Sequence, residues 1–174
     1  MRLTTRFSIC LVPLMLLSTL GNAQDRPIEL GLDAGVDFKV NDPNATTIGV
    51  PAQDVRFGFA IADRFSIEPR VSFNYLKYEG ADAVWMMGLG AGLLLHMNEV
   101  RHGAYVRPFV QWTNIDVGSN SASQFAAGGG VGIKTGTGKV IGRFEVAYSH
   151  AFENDDFLSS DDVVLLLGFS VFTK

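Results

Sequence analysis

Residues 28–40 read IELGLDAGVDFKV, and this stretch decides the fold. Its even positions are Ile28, Leu30, Leu32, Ala34, Val36, Phe38 and Val40. Its odd positions are Glu29, Gly31, Asp33, Gly35, Asp37 and Lys39. Successive side chains point to opposite faces of a strand, whereas a helix would mix the two sets. The stretch is therefore a strand with one apolar face and one face of small and charged residues.

The same alternation returns seven times, at about Gln53–Ala62, Phe65–Tyr78, Ala83–Met97, Ala104–Ile115, Gln124–Thr135, Lys139–Phe152 and Asp162–Phe172. Most of these segments exceed the usual strand length of about 5–6 residues and suit the roughly 9–11 residues of a tilted, membrane-crossing strand. Their connections alternate in length. Residues 62–65, 98–103 and 136–139 make tight or short turns, whereas 41–52, 116–123 and 153–161 make longer polar loops. Residues 79–82 form a short connection on the long-loop side.

Alternation alone fits a soluble barrel as well as a membrane one, so the non-apolar face must separate them. A soluble barrel coats its outside with long solvated side chains. Here that face is largely Gly, Ala and Ser with isolated charges, which suits the crowded interior of an eight-stranded barrel. The apolar face is almost free of charge, as lipid contact requires. Phe38, Phe65, Tyr75, Trp85, Trp112, Tyr148, Phe152 and Phe169 lie near strand ends and form an expected aromatic girdle. The predicted fold is all-β: an eight-stranded antiparallel up-and-down transmembrane β-barrel. Pro69 and Pro108 each remove a ladder donor, and a bulge near the rim is the expected accommodation.

Composition agrees. The chain has 174 residues, suiting one domain, and is 47% apolar and 18% charged with 19 glycines. So many apolar residues exclude disorder, and a formal charge of −4 gives no footprint for nucleic acid. Arg2 and Arg6, the apolar run Phe7–Leu20 and the small residues around Gly21-Asn22-Ala23 predict a cleaved signal peptide over residues 1–23. The barrel domain then covers residues 24–174, with 12 basic against 18 acidic residues and no cysteine, because Cys10 leaves with the leader. No later stretch is long and apolar enough for a second helical span.

With these strands in place, the chain resembles the small outer-membrane β-barrels of Gram-negative bacteria, the OmpA/OmpX-like porin family. The resemblance is carried by the Gly-rich alternating strands, by Arg107-Pro108-Phe109-Val110, by Arg143-Phe144-Glu145-Val146-Ala147-Tyr148 and by the last strand, Leu165 to Phe172. It implies an outer-membrane location, insertion by the barrel-assembly machinery, and contact with outer-membrane lipid and lipopolysaccharide. One departure stands out. Such barrels usually end in an aromatic residue in phase with the lipid-facing set, whereas Phe172 has the opposite phase from Phe169 and Val171. No peptidoglycan-binding domain is expected after the last strand.

The interior face carries Arg56, Glu68, Arg70, Arg107, Arg143 and Glu145. Unpaired ions are costly away from water, so these six predict a structural salt-bridge network that plugs the lumen in place of an ion path. No catalytic, cofactor or metal site is expected. Ser149-His150 is an adjacent pair of the kind a lipid A-modifying enzyme needs, but alternation sends the two side chains to opposite faces. Gly136-Thr137-Gly138-Lys139 lacks the upstream glycine and following hydroxyl of a phosphate loop. Gly128–Gly132 sits in a strand with no helix after it. The acidic segment with Glu153, Asp155, Asp156, Asp161 and Asp162 lacks calcium-loop spacing. The expectation is a monomeric envelope protein with a structural or loop-mediated binding role. The rivals are a membrane-embedded lipid A-modifying enzyme and a soluble periplasmic lipocalin-like barrel.

Overall fold

A computed structural model describes residues 26–40, 53–76, 83–118 and 120–173. The expected signal peptide and the connections at 41–52 and 79–82 lie outside the described residues. Eight strands follow in order: β1 (Ile28–Lys39), β2 (Gln53–Ala62), β3 (Phe65–Leu76), β4 (Val84–His96), β5 (Gly103–Val117), β6 (Asn120–Thr137), β7 (Val140–Ala151) and β8 (Ser160–Phe172). Each pairs antiparallel with the next, and β1 pairs with β8 from Glu29↔Phe172 to Lys39↔Asp162. The barrel is closed: every strand has a hydrogen-bonded neighbour on each side. A membrane barrel needs this, because hydrocarbon cannot satisfy a free backbone group.

The two faces separate as the alternation demands. In β1, Ile28, Leu30 and Leu32 are exposed on the outside, whereas Glu29 and Asp33 are buried inside. Large apolar side chains are exposed on every strand, among them Phe57, Val71, Leu89, Val110, Val131, Phe144 and Leu167. The interior holds Arg56, Glu68, Arg107, Arg143 and Glu145, all 3% exposed or less, beside a few apolar residues such as Leu94, Ile141 and Phe172. A surface this apolar all round has no stable place in water.

Short turns join β2 to β3 and β6 to β7 at one end of the barrel, here the turn end. In the second of these, Gly138 takes a φ of 71°, the left-handed conformation that only glycine adopts cheaply. Among the described residues, the opposite, loop end differs from expectation in one place. Residues 116–123 are not a long loop: β5 and β6 remain paired out to Val117↔Asn120, and Gly118 turns the chain at φ 59°. Asp116, Ser121 and Ser123 are polar, but backbone pairing does not require apolar side chains, and Ser121 donates to Asn114 at 3.2 Å. At the β7–β8 connection, the Asn154 side-chain oxygen accepts from the backbone N–H of Asp156 and Phe157, both at 2.9 Å.

The prolines also differ from expectation, since neither makes a bulge. Pro69 stays paired with Ala91, and Pro108 with Gly129. Each instead leaves a short gap on its other side, between Arg56↔Arg70 and Phe59↔Ile67 and between Gly92↔Phe109 and Leu95↔Val106, with the register unchanged across it. A missing donor on one side of a strand removes one rung without shifting the ladder. The register shift lies at Ala60/Ala62, beside the β2–β3 turn.

Candidate functional site

Ten of the interior charges form one connected network. Arg56 on β2 lies at its centre: Nε donates to Asp33 at 2.8 Å, Nη2 to the Ser170 hydroxyl at 2.8 Å, and Nη1 to Glu29 and, at 3.5 Å, to Glu68. Arg143 on β7 reaches across the lumen to Glu68 at 2.6 Å and also donates to Glu145 and to the Tyr105 hydroxyl, the latter at 2.6 Å. Tyr105 in turn donates to Glu145 at 2.7 Å, and Arg107 adds a guanidinium to the same carboxylate, with Nε at 3.0 Å from Oε1. Arg70 donates to Asp33 at 2.8 Å and lies 3.2 Å from Asp54 and 3.8 Å from Glu68. Lys134 on β6 closes the set on Glu29.

Five cations thus meet five carboxylates, drawn from every strand except β4 and β8, and β8 adds the Ser170 hydroxyl. Taking these ions out of water is expensive, and the cost is offset only because each carboxylate lies within ion-pairing distance of at least one cation. β4 contributes space. A Cβ at Gly92 would lie 3.0 Å from Cγ of Arg107. The same holds elsewhere: a Cβ at Gly31 would lie 2.6 Å from both terminal nitrogens of Arg56, and one at Gly130 2.9 Å from Cδ of Glu145. The interior glycines are the room into which the long charged side chains fold. Toward the loop end the inward residues include Asp37, Ser72, Asn74, Gln111, Thr113, Ser149 and Asp162, and these are only half-buried.

A closed antiparallel barrel with an apolar exterior and a charged interior can be compared with solved structures. Neisserial surface protein A matches with a TM-score of 0.60 at 16% identity, over 83% of this chain and 96% of that one. The fold is that of the small eight-stranded outer-membrane β-barrels. The outer membrane protein AlkL, solved in lipid bilayers, matches at 0.54 and 15% identity, over 85% of this chain and 90% of that one. Ail of Yersinia pestis, in a phospholipid nanodisc, matches at 0.50 and 11%, over 82% and 98%. No family model and no curated protein sequence matches the chain.

Within this outer-membrane-type barrel, the six interior residues singled out from sequence (Arg56, Glu68, Arg70, Arg107, Arg143 and Glu145) belong to one network. Sequence reasoning missed Glu29, Asp33, Asp54, Tyr105, Lys134 and Ser170. Their signal was present: each has the inward parity of its strand. The eight girdle residues all lie on the outer face but are divided unevenly. Phe38, Tyr75, Trp85, Trp112, Tyr148 and Phe152 lie toward the loop end, and Phe65 and Phe169 toward the turn end. Tyr75 and Trp85 pack at 4.4 Å between ring centroids. Phe172 keeps its opposite phase: it is 1% exposed and closes the turn end of the lumen beneath Lys134 and Arg101, at 5.7 and 5.2 Å from its ring centre.

The structure adds a second serine–histidine pair to the one considered from sequence. Ser149 and His150 do diverge, and His150 Nδ1 instead lies 2.9 Å from Asp161 on the outer face. A pair that sequence did not reveal, Ser66 Oγ and His96 Nε2, lies 3.0 Å apart inside the lumen. Both are buried, at 1% and 4% exposure, and each satisfies the other's polar group inside the lumen. Among the described residues, no three His, Cys, Asp or Glu side chains are grouped as a metal site.

Proposed function

We propose that the chain is an integral outer-membrane barrel whose lumen is plugged by its ion-pair network and whose work is done at its surfaces. That work is envelope support or the presentation of its loop end for binding or adhesion. One observation carries the reading: the Arg56–Glu68–Arg143–Glu145 series of contacts crosses the lumen from β2 through β3 to β7. A water-filled channel would hold such charges apart and solvated, not joined across its width. On this reading the barrel is a monomer, inserted by the assembly machinery, with outer-membrane lipid and lipopolysaccharide around it and no cofactor.

Two measurements test this. The folded protein should be recovered only with detergent and should migrate differently on a gel before and after boiling; recovery in the soluble periplasm overturns the membrane reading. In a planar bilayer the wild-type barrel should give no stable conductance steps. Regular ion-conducting steps from the pure monomer would refute the plug.

A further inference from the structure

The outer wall is dented between β5 and β8. The outward positions of β6 run Phe125, Ala127, Gly129, Val131 and Ile133, so a hydrogen atom stands where most neighbours carry rings or branched chains. A Cβ at Gly129 would meet nothing within 4 Å. Gly129 lies opposite Pro108 on one side and Tyr148 on the other, and Tyr148 lies opposite Val163. The result is a groove of about 330 Å³ lined by Val106, Gly129, Val131, Val146, Tyr148 and Val163. Its lining is almost wholly hydrocarbon. Toward the loop end the rim turns polar: Tyr148 donates its hydroxyl hydrogen to Asp161, whose carboxylate also lies 2.9 Å from His150 Nδ1. Phe152 stands edge-on to His150 at 5.1 Å, and Glu153, Asp155 and Asp156 follow, exposed.

We propose that this groove seats one acyl chain of a lipopolysaccharide molecule, with the lipid's phosphorylated head at the Tyr148–His150–Asp161 rim. The proposal rests on the outer-membrane reading, and the groove is continuous with the face that reading puts against the bilayer. An unfilled hollow there forfeits dispersion contacts on every lining atom, and a chain that enters it regains them. A polymethylene chain is narrow, flexible and wholly apolar, which matches the lining. A second copy of the barrel fits poorly, because a two-fold contact centred here would set one hollow against another. The rim fixes the source. The groove's polar end lies at the loop end, which outer-membrane barrels turn outward, where the lipid is lipopolysaccharide. Its acidic residues repel lipid phosphates unless a divalent cation lies between them, so the seat should depend on such a cation.

The test is native mass spectrometry of the mature barrel in detergent micelles, with added lipid A or phosphatidylethanolamine, in magnesium and after chelation. The wild type should retain one lipid A per barrel in magnesium and less after chelation, and should prefer it to phosphatidylethanolamine. Gly129→Phe and, independently, Val131→Phe should hold lipid A about ten-fold more weakly, the equivalent of losing the contacts of roughly two methylenes. Both variants should keep the gel shift of the folded barrel, since both side chains face outward. Equal retention of lipid A by wild type and the folded variants overturns the proposal. So does equal retention of phosphatidylethanolamine, or a wild-type dimer that Gly129→Phe dissociates. Recovery of the wild type without detergent would instead overturn the outer-membrane reading itself, whichever lipid is bound.

Discussion

Replacing Arg143 by alanine should destabilise the barrel strongly. Arg143 is fully inside and engages three partners: Glu68, Glu145 and the Tyr105 hydroxyl. The partners are not equally dependent on it. Glu145 keeps Arg107 and Tyr105 when Arg143 is removed. Glu68 keeps only Arg56 at 3.5 Å and Arg70 at 3.8 Å, and its Oε1 has no hydrogen-bond partner. Arg143→Ala therefore leaves a carboxylate that is 0% exposed with only these two longer contacts. Breaking a buried pair from one side costs about 3–5 kcal/mol, most of it the penalty of the charge left behind. If that is the cause, Glu68→Gln in the Arg143→Ala background should restore much of the loss, because the amide needs no counter-ion. The assay is urea unfolding of the refolded barrel in detergent, read by Trp85 and Trp112 fluorescence and by the gel shift on boiling. An Arg143→Ala barrel within about 1 kcal/mol of wild type, or a double variant less stable than either single one, refutes the reasoning.

Other outcomes follow from the same geometry. Gly31→Val should destabilise or prevent folding, by about 1–3 kcal/mol or more, because its side chain would fall on the Arg56 guanidinium, whereas Gly129→Ala should lie within about 0.5 kcal/mol of wild type; a wild-type urea midpoint for Gly31→Val would contradict the first, and a clearly lowered one for Gly129→Ala the second. Leu89→Arg, near the middle of the outer face of β4, should cost about 2–4 kcal/mol in a bilayer, and a neutral result in lipid vesicles would argue against lipid contact there. Phe172→Ala should cost about 3 kcal/mol by emptying the turn end of the lumen beneath Lys134, measured as a lower urea midpoint. His96→Ala should cost about 1–3 kcal/mol by leaving the Ser66 hydroxyl without its partner, a loss that Ser66→Ala in the same chain should reduce.

The barrel was legible in the sequence because a strand alternates with a period of two, and this chain holds that period through eight segments. Parity alone assigns Glu29 and Arg143 to the inside and Leu30 and Phe144 to the outside, without any knowledge of neighbours. It also fixes the inward turn of Phe172, against the habit of the family the chain resembles. The same alternation misled at residues 116–123, where polar side chains looked like a loop. Pairing is a backbone property, and it carries no apolar signature of its own.

Contacts across and around the barrel belong to the tertiary structure. Glu68 meets Arg143 from 75 residues away, and Lys134 meets Glu29 from 105. Such pairings depend on strand number, stagger and closure, none of which the parity of a single strand encodes. The Ser66–His96 pair and the Gly129 groove have the same origin. Gly129 becomes a hollow only because register sets it between Pro108 and Tyr148 on the outer wall, whereas Gly130, one residue on, faces inward and makes room for Glu145. The sequence by itself decided which residues face lipid and which face the lumen, because strand geometry is local. Only the closed barrel decided which charges neutralise one another and where the outer wall is hollow, because both depend on distant strands brought into register.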